Sequence, residues 1–266
     1  MNISFALNQI MIPEAPLIDF IHFAKKLNID AIEIRNDVRK NFIKENNPLM
    51  VKEECEKNSI KILSINALQK FNIWNKDREN ELISLCKYAD KANINAIVLV
   101  PLNDGSVISQ KEQIKLLEES LVNVIKILDD YNVIGLVEPL GFIQSSLRYK
   151  SLLFNALKDI GSDKLKIVHD TFHHNLAGEN KFFPFLTGLV HISGVSNIYK
   201  NVELNDDHRS IIDKNDILEN LHQLQTLLKS GYDGYFSFEP FSETLIKEQN
   251  IFNITKKCFD YISSKN

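Results

Sequence analysis

Eight short runs rich in β-branched and apolar residues recur along the chain, with amphipathic stretches between them. They are Ile3 to Leu7, Ala31 to Arg35, Ile62 to Leu68, Ala96 to Leu102, Val133 to Pro139, Leu165 to Asp170, Leu189 to Ser193 and Tyr235 to Phe241. Runs such as Ile97-Val98-Leu99-Val100 are apolar at every position, which suits strands covered on both faces, as in parallel sheets beneath helices. Between the runs, Gln113 to Leu128 sets Ile114, Leu117, Leu121, Val124, Ile125 and Leu128 on one helical stripe. Similar stripes cross Leu17 to Leu27, Leu82 to Ala92 and Ile217 to Leu228, whereas Phe172 to Pro184 is too irregular to assign. This alternation predicts an α/β fold. A doubly wound nucleotide-binding sheet would carry a glycine-rich turn after its first strand, but here that turn reads Asn8-Gln9-Ile10-Met11-Ile12-Pro13. The count of eight and the missing glycines predict closure into a single-domain (β/α)8 TIM barrel over residues 1–266, a fold that commonly occupies about 250 residues.

Charge and cysteine usage narrow the function classes. The net charge of -4 comes with scattered lysines and no clustered basic face, which argues against nucleic acid or an anionic membrane as partner and leaves a small molecule as the expectation. Cys55, Cys86 and Cys258 are far apart, lie in helical stretches and form no C-x-x-C pair, so they are expected as buried or half-buried thiols. Their odd number and the lack of a basic and apolar leader at Met1 to Leu7 lead to the expectation of a cytoplasmic address. A homo-oligomer is compatible with the sequence.

In a barrel the chemistry belongs to the C-terminal ends of the strands. The fifth run ends in Val137-Glu138-Pro139, the sixth in Val168-His169-Asp170-Thr171-Phe172-His173, the seventh in Val190-His191-Ile192-Ser193 and the eighth in Phe238-Glu239-Pro240. Four successive strands thus carry an acid or an imidazole inside an apolar run. Several carboxylates together in a low-dielectric setting cost kilocalories each unless a cation neutralises them, so Glu138, Asp170 and Glu239 with an imidazole call for a divalent metal. Carboxylate weight favours Mn²⁺, with Mg²⁺, Co²⁺ or Zn²⁺ as alternatives. Any one of these acids could equally cap a helix or pair with a lysine. Arg35, Asn66, Gln144, His173 and Arg209 fall at or just past strand ends and are candidates to hold substrate hydroxyls. Phe71 and Trp74 are candidates for an apolar wall against a sugar ring, and His169 and His174 read as core or surface histidines.

These residues resemble the xylose-isomerase-like barrels and, within them, the inosose (2-keto-myo-inositol) isomerases. The resemblance spans essentially the whole chain and is most specific at Ile32-Glu33-Ile34-Arg35, Asn66-Ala67-Leu68, Val100-Pro101-Leu102, Glu138 with Gly141 and Gln144, Asp170-Thr171-Phe172-His173, and His191. It implies that Glu138, Asp170, His191 and Glu239 bind one divalent ion. It also implies isomerisation or epimerisation beside a carbonyl, with Glu138 and Glu239 as a facing acid/base pair, and a place for His173 beside the metal. Where many relatives carry an aspartate next to the seventh-strand histidine and later an Arg followed by a Pro-Gly-x-Gly turn, this chain reads His191-Ile192-Ser193-Gly194 and Asp207-His208-Arg209-Ser210-Ile211-Ile212-Asp213. That departure bears on the substrate. A ketose 3-epimerase or a hydroxypyruvate isomerase shares the chemistry. An endonuclease-IV-like repair enzyme would need further histidines where Asn66 and Pro101 stand, and a sugar-binding barrel without catalysis is the remaining alternative. The loops after the seventh and eighth runs lack a glycine-rich phosphate cradle, since Gly194-Val195-Ser196-Asn197 has one glycine and Pro240 removes a donor, so the expected substrate is an unphosphorylated polyol or sugar.

Overall fold

The computed structural model describes residues 3–38, 42–107 and 109–265. Its strands are β1 (Ser4–Asn8), β2 (Ala31–Arg35), β3 (Lys61–Gln69), β4 (Ala96–Val100), β5 (Ile134–Val137), β6 (Leu165–Asp170), β7 (Thr187–Ile192) and β8 (Tyr235–Phe238). Each pairs in parallel with the next and β8 pairs back onto β1, so the sheet is a closed barrel. Around it run α1 (Leu17–Lys26), α2 (Phe42–Glu45), α3 (Pro48–Asn58), α4 (Lys76–Ala92), α5 (Gln110–Leu128), α6 (Lys150–Ile160), α7 (Thr171–Ala177), α8 (Asn220–Lys229), α9 (Glu243–Ile246) and α10 (Ile251–Ser264). The single-domain TIM barrel expected from the alternation is the observed fold. No helix among the described residues is long and apolar enough to cross a membrane.

Three strands stop two or three residues short of their apolar runs, each within two residues of a proline. β4 ends at Val100 before Pro101, β5 at Val137 before Glu138-Pro139, and β8 at Phe238 before Glu239-Pro240. Proline has no N–H for the ladder, and it keeps the preceding residue extended. Glu138 and Glu239 are therefore the last extended residues before the chain turns away. The helices begin where the sequence offers caps: Asn47, Asn75 and Ser109 accept from the backbone N–H of Leu49, Arg78 and Glu112. The sequence reading marks no apolar stripe at α3, α6 or α10, although it expects helix around Cys55 and Cys258, which α3 and α10 bear out. α3 buries only Val51 and Cys55, whereas α6 buries Leu153, Ala156 and Leu157 beside Lys150, and α10 buries Phe259 and Ile262 beside Thr255 and Cys258. The region read as irregular contains α7, which follows β6 without a loop and is capped by Asp170.

Strand periodicity divides the strands from β4 to β7 between two cores. Ala96, Val98, Leu136, Val168 and Leu189 cluster in the lumen, while Ile97, Val137, Ile167, Val190, Phe236 and Phe238 pack under the helices. Residues two apart share a face. Glu138, Asp170 and His191 lie two residues beyond Leu136, Val168 and Leu189, so they continue the lumen column at the mouth. Asp170 and His191 are also register partners across β6 and β7. The three cysteines are buried and free, as expected, and burial pushes the Cys55 thiol up to about 11 and those of Cys86 and Cys258 up to about 12.

The long connection after β7 folds back through an antiparallel bridge between Gly194 and Ser210, with N–H to O distances of 2.8 and 2.7 Å. The Arg209 carbonyl accepts from the backbone N–H of Phe241 and Ser242 at 3.0 and 2.8 Å. This double tie seats Arg209 over the mouth in place of the missing glycine-rich turn. Gly194 is required by close approach, because a Cβ there would come within 2.0 Å of the Ile211 carbonyl oxygen. Gly194→Ala should therefore cost about 1–3 kcal/mol as an overpacking change. Urea unfolding measures this, and an unshifted midpoint would show that the loop yields freely.

Candidate metal centre

Four side chains converge at the mouth of the lumen. Glu138, Asp170, His191 and Glu239 each offer one ligand atom, and these atoms all lie within 4.8 Å of one another. All four are buried. His191 turns Nδ1 toward the group, 2.9 Å from Glu138 Oε1, 3.2 Å from Glu239 Oε2 and 4.0 Å from Asp170 Oδ2. Asp170 divides its work: Oδ1 accepts the His173 N–H at 2.9 Å and so caps α7, while Oδ2 faces the cluster. Capping and clustering, alternatives on the sequence, coexist in one carboxylate.

Arg35 and Arg209 reach the site but spend their donors on carboxylates. Arg35 forms a two-pronged pair with Asp37 at 2.8 and 2.9 Å and donates through Nη1 to Glu239 Oε1 at 2.8 Å. Arg209 Nη2 bridges Asp170 Oδ2 at 2.6 Å and Glu239 Oε2 at 2.8 Å, and Nη1 reaches Asp206 at 3.3 Å. The two guanidinium groups stack on the Phe241 ring, 5.4 and 4.6 Å from its centroid. Arginine donors expected to hold substrate hydroxyls thus first hold the ligand carboxylates.

Glu33 is the buried acid that sequence reasoning leaves aside. It has the signal that singled out Glu138, an isolated acid in an apolar strand, but Arg35 two residues on offers an apparent partner. In the structure Arg35 pairs elsewhere, and Glu33 accepts from Ser64 Oγ at 2.6 Å and from Asn8 Nδ2 at 3.3 Å, with His191 Nε2 3.1 Å from its Oε1.

Charge counting tests whether a metal fits. The buried cluster contains four carboxylates, Glu33, Glu138, Asp170 and Glu239, against two guanidinium groups, Arg35 and Arg209. It is two positive charges short, the charge of one divalent cation. Without an ion, protons take that role. Burial opposes the charged imidazole, but Glu239, Glu33 and Glu138 outweigh it and hold His191 protonated well above its ordinary range. Burial, with Glu239 and Asp170 nearby, raises Glu138 despite the opposing pull of His191. Burial also acts to raise Glu239, yet His191, Arg209 and Arg35 hold it well below the usual carboxylate range.

Above the cluster opens a cavity of about 490 Å³ lined by Glu138, Glu239, both arginines, Asn66, His173, Asn103, Lys70 and the apolar faces of Val100, Leu140, Phe142 and Phe241. Asn66 Nδ2, His173 Nδ1 and Asn103 Oδ1 are buried and without a partner there. Gln144 is placed elsewhere: it is exposed and lines a neighbouring groove with Arg148 and Glu203. The expected wall is also displaced, since Phe71 is fully buried in the core and Trp74 packs against it, while Phe142 and Phe241 take the wall's place. His169 points the other way along β6, with Nδ1 2.7 Å from Lys150 Nζ and Nε2 2.9 Å from Gln223 Oε1, and His174 is buried beside it.

The family described as "Xylose isomerase-like TIM barrel" matches residues 21–257. The inosose isomerase of Bacillus velezensis (strain DSM 23117 / BGSC 10A6 / LMG 26770 / FZB42) is 26% identical over 165 residues, 60% of this chain and 59% of that protein, so the match spans less than two thirds of that relative. A solved xylose isomerase domain-containing protein from Salmonella typhimurium LT2 is 29% identical, with a TM-score of 0.88 and 99% of each chain covered. The IolI protein, solved with a bound zinc atom, has a TM-score of 0.89 at 21% identity, again over 99% of each chain.

If a divalent ion replaces the protons on His191 and Glu138, its binding must release protons. Zn²⁺ titration calorimetry in buffers of different ionisation enthalpy should show proton release at neutral pH, with affinity falling as pH falls because both groups then keep their protons. An affinity independent of pH would exclude this exchange.

Proposed function

Because the chain belongs to the xylose isomerase-like TIM barrel family, we propose that it is a divalent-metal-dependent isomerase or epimerase acting beside the carbonyl of a small unphosphorylated polyol or sugar, with an inosose as first candidate. The observation that carries this reading is the buried four-ligand group, which together with Glu33, Arg35 and Arg209 is two positive charges short, at the floor of an open cavity with polar and apolar walls. The inosose isomerase relative and the zinc atom of the IolI structure support it. Mn²⁺ remains the favoured ion on carboxylate weight, with Zn²⁺, Mg²⁺ or Co²⁺ as alternatives.

Glu138, Asp170, His191 and Glu239 would hold the ion, which when bound polarises a carbonyl and acidifies the neighbouring C–H or O–H. The protein's own groups then divide the work. Glu138 and Glu239 form the acid/base pair, but their environments differ. Glu239 accepts from Asn8, Arg35 and Arg209 and stays ionised, whereas the hydrogen bond recorded for Glu138 is the one to His191. Glu138 is therefore the first carrier of the proton removed from carbon, and by taking it up loses one negative charge as the enediolate-like substrate gains one. Asn66 and His173 take substrate hydroxyls, which give their buried unpartnered atoms hydrogen bonds. Arg35 and Arg209 hold the carboxylates in place and form the floor beneath the ring. Phe142 and Phe241 supply its apolar contact.

The same geometry supports an unphosphorylated substrate. With both arginines committed to carboxylates, Lys70 is the remaining lysine or arginine lining the cavity among the described residues.

Two measurements test the proposal. Turnover of an inosose or ketose in D₂O should place deuterium on the carbon next to the carbonyl, and Glu138→Gln should slow that exchange by about 10²–10⁴-fold. Complete retention of the original hydrogen would sink proton transfer in favour of a hydride shift. A free inosose or ketose should also be preferred over its phosphate ester, and a tenfold higher kcat/KM for the ester, about 1.4 kcal/mol in transition-state binding, would overturn the reading of the pocket.

A further inference from the structure

His191 lies between two acidic groups. Its Nδ1 faces the atoms of Glu138, Asp170 and Glu239, and its Nε2 faces Glu33, whose two oxygens lie 3.1 and 3.2 Å away. Glu33 stands outside the four-ligand group, because its carboxylate sits behind the imidazole. It is fully buried and well supplied with donors, from Ser64 Oγ at 2.6 Å and Asn8 Nδ2 at 3.3 Å. The register between β2 and β3 shifts just before this point, which sets Ser64 directly opposite Glu33. The irregularity thus delivers a hydroxyl to a carboxylate that pairs with no lysine or arginine among the described residues.

A neutral imidazole carries one N–H, and only the other nitrogen can give a lone pair to a metal. Which nitrogen is free depends on the partner of the first. We infer that Glu33 is a positioning residue for the metal centre: its carboxylate accepts the Nε2–H of His191, fixing the tautomer and ring plane so that the Nδ1 lone pair points at the site formed with Glu138, Asp170 and Glu239. The inference rests on the metal reading above. Asn8 extends the arrangement, since Nδ2 also reaches Glu239 Oε1 at 3.1 Å, while Oδ1 accepts from Ile10 N at 3.0 Å and Arg35 Nη1 at 3.4 Å. One asparagine thus ties the support of the histidine to a carboxylate ligand.

A role limited to filling the lumen with a satisfied polar group would leave the tautomer and the metal affinity unmoved in a folded variant. Zn²⁺ affinity, measured by competition with a chelator, should fall about 10- to 100-fold in Glu33→Gln. An amide at this position can present N–H₂ to Nε2 and favour the opposite tautomer. Nitrogen-15 NMR of histidine-labelled, Zn²⁺-loaded wild-type protein should show His191 protonated at Nε2 and coordinated through Nδ1. Ser64→Ala keeps both His191 and Glu33 and removes one buried donor, so it serves if the Gln variant does not fold, with an expected loss of about fivefold. Unchanged affinity in the folded variants, or coordination through Nε2, overturns the assignment. If wild-type protein binds no Zn²⁺, the metal reading and this inference fall together. If Zn²⁺ binds, weakens in Glu33→Gln and yet no polyol or sugar turns over, the positioning role stands and the isomerase reading fails.

Discussion

Four buried carboxylates at one end of a closed barrel are a large electrostatic debt, and the mouth of this protein is organised around meeting it. Two of the four charges are answered by guanidinium groups and the others by protons or a divalent ion. Removing one partner from a buried ionic cluster leaves an uncompensated charge that costs several kcal/mol, so these groups stand or fall together. A stable interior alone would be met more simply by apolar side chains of the same volume. The polar layer lies two residues above an ordinary lumen of alanine, valine and leucine, which separates the part of the barrel that holds the fold from the part that does chemistry.

The arginines connect this debt to the loops. Arg35 ends β2, Arg209 sits in the connection after β7, and both stack on Phe241 just after β8. Glu239 receives one arginine on each oxygen. A shift in any of these three segments must disturb hydrogen bonds made by the others. Asp37 and Asp206 extend the pairing to the rim, where their side chains are 32% and 47% exposed and solvent screens them more strongly. The floor is accordingly stiff and the rim more adaptable, which suits the proposed reading of fixed ligands beneath an entering substrate.

Much of this was legible because strand chemistry is local. An acid at the end of an apolar run announces itself, and a period of two carries it into the lumen, which is why Glu138, Asp170, His191 and Glu239 could be grouped before any coordinates. Asn66 and His173 do line the cavity with unpartnered atoms. Gln144, expected to hold a substrate hydroxyl, lies in a side groove because its loop turns it there, and loop direction has no periodicity to read. Glu33 was obscured by a neighbour that looked like its partner. The commitment of Arg209 depends on the Gly194–Ser210 bridge, a contact made by a long connection and invisible to spacing. Phe71 went to the core because its backbone N–H is tied to the Val100 carbonyl, at 3.1 Å, and its ring is fully buried.

The hydrogen bond from Asn8 to Glu239 joins residues 231 positions apart, across the seam where β1 meets β8. On a ribosome, the ligands of β5, β6 and β7 emerge first, yet the set is incomplete until the eighth strand has been made and the seam has closed. On the proposed metal reading, capture of the ion is a late event in the life of the nascent chain, and a truncated or open barrel should be a poor competitor for it. The same dependence works in reverse: at a free metal concentration of 100 times Kd, an ion that binds only the closed form adds about 2.7 kcal/mol against opening. An ion bound as proposed would act as a clasp on the ring, and metal supply would then help determine how long the protein survives proteolysis.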